Sequence, residues 1–174
     1  MTLVVRPEQP SDVAAIESLT TAAFLDAPHT SHTEQHIVNA LRRAGQLTVS
    51  LVAEDGSTIV GHVAVSPVAI SGGRNDTEHW YGLGPISVAP ARQREGIGSR
   101  LMEAALAELR RLGAAGCVLL GDPHYYGRFG FRSEPRLVLP GVPPEYFQAL
   151  ALQGGLPSGI VSYHRAFEAQ APAP

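Results

Sequence analysis

The stretch that most constrains this chain is a junction, in which an extended apolar segment, residues 80–88, runs through a short polar turn into the clearest helix, residues 96–112. Ile97, Leu101, Ala105, Leu109 and Leu112 recur at helical spacing, and Gly113 supplies the usual C-terminal stop. A strand that feeds a helix in this way lays the helix against a sheet, because each element has one apolar face to bury. The strand is itself interrupted by Gly84-Pro85. Proline cannot donate to a ladder, so the break predicts a bulge or an edge in place of regular pairing.

The flanking sequence reads as strands and helices in alternation. Residues 3–5 form a strand stopped by Pro7, and Ser11 caps a helix carrying Val13, Ile16, Leu19 and Ala23 that ends before Pro28. A polar stretch with His29, His32 and His36 leads into a second short helix with Ile37, Val38 and Leu41, closed near Gly45. Residues 47–53 and 59–65, joined by Asp55-Gly56-Ser57, read as a hairpin, and a loop covers residues 71–77. Residues 117–120 read as a buried strand, a turn-rich stretch passes Tyr126, residues 144–150 read as a helix and residues 160–167 as a last strand. The 174 residues suffice for one core, so a single domain is expected over residues 1–168, with a disordered tail at residues 169–174. The order of elements implies an α/β or α+β mixed sheet with helices against it.

Composition removes several classes of function. Charged residues make up 17% of the chain and the formal net charge is -3, without the basic surplus that nucleic-acid binding needs. No apolar run approaches the roughly 18 residues of a membrane helix, so no membrane association is expected. The one cysteine, Cys117, allows neither an internal disulfide nor a cysteine metal site, which suits a reducing, cytoplasmic setting. His32-Thr-Glu-Gln-His36 is not the H-E-x-x-H zinc motif, and no metal is expected.

At the junction the backbone itself is the candidate ligand. Gln93-Arg94-Glu95-Gly96-Ile97-Gly98-Ser99 opens the helix, where free N–H groups and the helix dipole favour an anion and the two glycines allow a phosphate close to the main chain. The same glycines could serve only helix entry and close packing. A P-loop would need Gly-Lys-Ser/Thr, and Ser99-Arg100 follows Gly98 instead. A dinucleotide fingerprint would need a third glycine or alanine at position 101, which is Leu.

Gln93, Gly96 and Gly98 fit the pattern Q/R-x-x-G-x-G/A, and here the chain resembles the GNAT superfamily of acyl-CoA-dependent N-acyltransferases. Leu83-Gly84-Pro85-Ile86-Ser87-Val88 is similar to that family's bulged strand, and Tyr126-Gly127-Arg128-Phe129-Gly130-Phe131 to its Y-x-x-x-G-F segment. Gly121-Asp122-Pro123-His124-Tyr125-Tyr126 and Tyr163-His164-Arg165-Ala166-Phe167 are most like the bacterial YhbS-like predicted acetyltransferases.

The resemblance implies a mixed, mostly antiparallel sheet splayed by a bulged strand, with helices on both faces. It implies acetyl-CoA as co-substrate, held by Ile86, Ser87 and Val88 along the cleft and by Gln93, Arg94, Glu95, Gly96, Ile97, Gly98 and Ser99 at the diphosphate. Arg92, Arg94 and Arg100 either meet phosphate charge or are simply solvated. The N–H of Val88 would polarise the thioester and Tyr126 would be the general acid, although without the motif Tyr126 reads as a core aromatic; Tyr125 would pack or line the acceptor pocket. The acceptor would be a small-molecule or peptide amine, met by residues 24–36 and the region of Tyr146. The base stays open among Glu78, His79, Asp122, His124 and a water chain. The family's usual asparagine is absent, position 119 being Leu. An acyl-CoA-sensing module, a longer acyl donor and a homodimer also stay open.

Overall fold

The computed structural model describes residues 2–73 and 77–172. Its strands are β1 (Leu3–Pro7), β2 (Val49–Asp55), β3 (Thr58–Ser71), β4 (Trp80–Val88), β5 (Gly116–Leu120), β6 (Arg132–Ser133), β7 (Leu137–Val138), β8 (Phe147–Ala151) and β9 (Gly159–Tyr163). The helices are α1 (Val13–Phe24), α2 (Glu34–Arg43), α3 (Ile97–Arg111) and the single turn α4 (Pro123–Tyr126). The sheet runs β1-β2-β3-β4-β5-β8-β6. Along this path only β4 and β5 are parallel. The last residues of β3 pair with β9, from Val68↔Tyr163 to Ser71↔Ile160, and β7 joins β9 in parallel.

The alternation of side chains along the strands decides which helix lies where. Val63 and Val65 of β3, with Leu51 and Ala53 of β2, face α3 and bury Leu101, Met102, Ala105 and Leu109. Ala64 and Val52, in between, face the other way against Ile16 of α1 and Val38 of α2. Full burial of each large apolar side chain stabilises the fold by about 1.5–3 kcal/mol. The mixed sheet with helices on both faces is thus present as expected, and no described helix is long and apolar enough to cross a membrane.

A polar cluster ties α2 to the sheet. Glu8, just past β1, accepts hydrogen bonds from Arg42 Nε at 2.8 Å and Nη2 at 2.9 Å, and from Ser50 Oγ. Ser50 Oγ lies 2.8 Å from Nε2 of the fully buried His62. Burial opposes ionisation of Glu8, but bonds from His62, Arg42 and Ser50 outweigh it and hold the carboxyl below its ordinary range. Burial, only partly offset by Glu8, lowers the pKa of His62 and favours the neutral ring.

Several elements differ from their expected form. Residues 144–150 are a 3-10 turn, Pro144–Tyr146, followed by β8, because Phe147–Ala151 completes the free edge of β5 in a register running from Leu120↔Phe147 to Gly116↔Ala151. The final strand stops at Tyr163, where His164 Nδ1 accepts from Ala166 N–H at 3.0 Å and starts a 3-10 turn. Asp12, not Ser11, closes the entry to α1; its carboxylate accepts from Gln9 N–H at 2.7 Å and from Arg6. The expected loop at 71–77 begins after Ser71, and its residues 74–76 lie outside the described residues, as does the tail at 173–174.

Gly116 stands opposite Trp80 in the short parallel pair, and a Cβ there would sit 2.2 Å from the buried indole ring. Gly116→Ala is therefore expected to lower stability by about 1–3 kcal/mol, read as a lower urea midpoint followed by Trp80 emission. An unchanged midpoint would show that the ring can step aside.

Candidate active site

The parallel pair of β4 and β5 is short, running only from Trp80↔Gly116 to Gly82↔Val118. Beyond it β4 is bulged: Leu83 faces Val65 and Ile86 faces Val63, so Gly84 and Pro85 together oppose Ala64. The Gly84-Pro85 peptide is cis. β5 meanwhile stays on β8 as far as Leu120. The two strands part, and a gap opens between Ile86–Val88 on one side and Leu119–Leu120 on the other. Ala89 N–H donates to Val60 O at 2.9 Å. Successive N–H groups along a strand alternate in direction, so those of Val88 and Ile86 face away from β3, towards the gap.

Past Val88 the chain makes a 3-10 turn (Pro90–Arg92), and Gln93 is extended with Nε2 3.4 Å from Val88 O. Arg94 at φ 67° and Gly96 at φ 83° then swing the chain into α3. Arg100 N–H is the first to bond back into the helix, onto Gly96 O at 3.1 Å. The amides of Ile97, Gly98 and Ser99 precede it and are left for an outside acceptor. They border a cavity of about 370 Å³ that Val88, Tyr125 and Arg128 also line. A Cβ on Gly98 would stand 3.1 Å from Tyr125 Oη and narrow this space. Tyr125 Oη lies 3.4 Å from Ser99 Oγ, and the Arg128 guanidinium covers the Tyr125 ring at 4.6 Å.

Tyr126 borders a second cavity, of about 490 Å³. Its ring fits over Gly121, where a Cβ would come within 2.2 Å, and meets Tyr125 and Phe131 edge-on. Burial, with smaller contributions from Tyr125 and Asp122, pushes its pKa up to about 12, so the phenol is protonated at neutral pH. Phe24 closes this cavity from the end of α1, Glu34 and Ile37 from α2, Pro85 and Ile86 from the bulge, and Leu120 from β5. Leu139, Tyr163 and Phe167 complete the wall where Tyr146 was expected; Tyr146 is exposed elsewhere. The 370 Å³ cavity is walled by the start of α3 and the 490 Å³ cavity by α1 and α2, the helices of opposite sheet faces.

Residues 4–133 match the family model of the acetyltransferase (GNAT) domain. The chain belongs to this family. The GNAT chain is 33% identical over 173 residues to the uncharacterized N-acetyltransferase YhbS of Escherichia coli K12, a match covering 95% of this chain and 98% of that protein. Among solved structures, a GNAT acetyltransferase from Brucella melitensis in complex with acetyl-CoA superposes with TM-score 0.84 at 48% identity, over 95% of this chain and 98% of that one. YhbS from Escherichia coli in complex with CoA also gives TM-score 0.84, at 33% identity, over 95% and 92% of the two chains.

Of the residues singled out in the sequence, Val88, Gln93, Arg94, Gly96, Ile97, Gly98 and Ser99 line the cavity at α3 of the GNAT chain, and Ile86 and Tyr126 line the larger one. Ser87 lies in neither. Its side chain is buried on the α1 face beside His62, and its Oγ has no hydrogen-bond partner among the described residues. Glu95 is exposed and bonded to Arg92, which also pairs with Asp55 at 3.1 Å. Arg94 and Arg100 are exposed without an ion pair among the described residues. Tyr125 lines the α3 cavity and packs edge-on against Tyr126 and Phe129. Glu78 and His79 precede the far end of β4, about 20 Å along the strand from Ile86. Asp122 is exposed and caps α4, accepting from His124 N–H at 2.9 Å. Cys117 is fully buried, and burial raises its thiol pKa. No group of three or more His, Cys, Asp or Glu that could hold a metal occurs among the described residues.

Sequence reasoning did not single out Arg128, and it placed Glu34 only within the stretch 24–36 expected to meet the acceptor. Arg128 is three residues from Tyr125, a spacing that brings side chains together across a helical turn, and this was the available signal. Glu34 follows Thr30, Ser31 and Thr33, a hydroxyl-rich helix entry that reads as capping and not as a pocket.

Proposed function

We propose that this chain transfers the acetyl group of acetyl-CoA to an amine by direct attack, with both substrates bound at once. The observation that carries the reading is the gap between β4 and β5, into which the backbone of Ile86 and Val88 is turned and from which the chain runs straight into an anion-binding helix start. Ile86 and Val88 would bond the pantetheine arm as a neighbouring strand does. The amides of Ile97, Gly98 and Ser99 would hold the diphosphate, with Arg94, Arg100 and Arg128 supplying positive charge. The absence of side chains at Gly96 and Gly98 fits this use, since a Cβ at Gly98 would crowd Tyr125. The acetyl-CoA and CoA held by the Brucella and Escherichia relatives support the same choice of donor.

Acetyl-CoA supplies an activated acyl carbon; the chain must polarise it and protonate the departing sulfur. Val88 N–H would donate to the carbonyl oxygen, on which negative charge grows as the amine attacks. As the C–N bond forms and the C–S bond breaks, Tyr126, protonated and facing the second cavity, would give its proton to the thiolate, and the proton lost by the amine nitrogen would pass through water to restore the phenol. Cys117 offers no route through an acyl-enzyme, being fully buried with its thiol pKa raised.

Calorimetric titration should show acetyl-CoA binding with NAD and ATP inert; preference for either nucleotide would overturn the reading. Gly98→Asp puts a carboxylate where the diphosphate belongs and should abolish that binding while leaving the fold intact by circular dichroism. Tyr126→Phe should keep acetyl-CoA affinity and lower kcat about a hundredfold, and an unchanged kcat across pH would remove Tyr126 from the mechanism.

A further inference from the structure

Glu34, the first residue of α2, lines the 490 Å³ cavity, yet the residue is only 8% exposed. Its Oε1 accepts from Thr30 Oγ1, and its Oε2 from Ser31 Oγ and Thr33 N–H, both at 3.1 Å. These donors are all neutral. Among the described residues Glu34 has no ion-pair partner, and no other carboxylate lines the cavity. The start of α2 favours a negative charge at this point, so the site holds an anion in place without cancelling it. A carboxylate can accept about four hydrogen bonds; three are used, and the remaining capacity is on Oε1.

Around this anion most of the wall is apolar, from Phe24, Ile37, Leu120, Leu139 and Phe167, and besides Glu34 and the hydroxyls of Thr30 and Ser31 the polar side chains on it are His29, Tyr126 and Tyr163. A ligand that matches such a cavity carries one positive charge on an apolar body. The ammonium would complete the hydrogen bonding of Glu34 as a charge-assisted bond, and the carbon skeleton would fill the apolar remainder. A polyamine would bury further charges with no carboxylate to meet them, and an amino acid would bring its own carboxylate towards Glu34.

We infer that Glu34 sets acceptor specificity, selecting monoamines with an apolar body by capturing the ammonium, which gives up a proton to water before its nitrogen attacks. This rests on the acetyl-transfer reading for its biological meaning, but the binding preference can be measured without acetyl-CoA.

The test is a nuclear magnetic resonance titration of the full chain with 2-phenylethylammonium and with its neutral isostere 2-phenylethanol. The wild type should bind the ammonium about tenfold more tightly than the alcohol, and Glu34→Gln should remove that difference while changing alcohol affinity less than about twofold. Spermidine and phenylalanine should bind the wild type more weakly than 2-phenylethylammonium. Equal affinity of the wild type for ammonium and alcohol, binding of neither, or equal weakening of both in Glu34→Gln would overturn the assignment, the last outcome leaving Glu34 only as a brace for residues 30–33. The wild-type comparison decides the matter even if the variant fails to fold. Acetyl-CoA is titrated separately: its failure to bind, with the ammonium preference intact, would sink the transferase reading and not this one.

Discussion

Everything at the site depends on β4 leaving β5 after three shared positions. A strand that stayed paired would spend the N–H groups of Ile86 and Val88 on its neighbour. The bulge of Gly84 and Pro85 against Ala64 turns the rest of β4 aside, while β8 holds β5 in place from the other edge. The gap is therefore a feature of sheet geometry, made by backbone that one neighbour supports and the other does not reach. Loops are secondary to it: α4 and the following turn only bring Tyr125 and Tyr126 to its rim.

The helices around the gap are fixed by different means. α3 is held by apolar burial against β2 and β3, so its first turn is presented on a rigid body, as an anion site requires. α2 has a smaller apolar contact and adds the cluster of Glu8, Arg42, Ser50 and His62, which reaches from β1 across to β3. That arrangement holds the Glu8 carboxyl below its ordinary range, while burial favours the neutral ring of His62. The wall of the larger cavity that carries Glu34 and Ile37 thus rests on an ionic anchor as well as on the burial of Ile37, Val38 and Leu41, and the wall formed by α3 rests on packing.

Much of this was legible in the residues. The spacing of Ile97, Leu101, Ala105 and Leu109 gives α3 because one helix face meets one sheet face, and Gly84-Pro85 marks the bulge because proline lacks the N–H that a ladder needs. Residues 144–150 were misread because Pro143-Pro144 before an apolar run suits a helix start as well as a strand, and only the open edge of β5 decides for β8. Glu78 and His79 lie close in sequence to the bulged strand but at its far end, a separation that spacing along the chain does not convey. Tyr125 and Tyr126 go to different cavities because neighbouring side chains on a single helical turn diverge, which no local pattern reveals. Arg128 and Glu34 matter through what folds over them, the ring of Tyr125 in one case and the apolar walls from α1 and β5 in the other.

The two cavities lie along successive stretches of one strand, Val88 lining the one at the start of α3 and Ile86 the one bordered by α1 and α2. What links them is the strand from Ile86 to Val88 and the rings of Tyr125 and Tyr126, which meet edge-on with centroids 4.9 Å apart. An extended residue advances about 3.3 Å, so the two residues from Ile86 to Val88 set a spacing of about 7 Å between the linings, a ruler built into the strand.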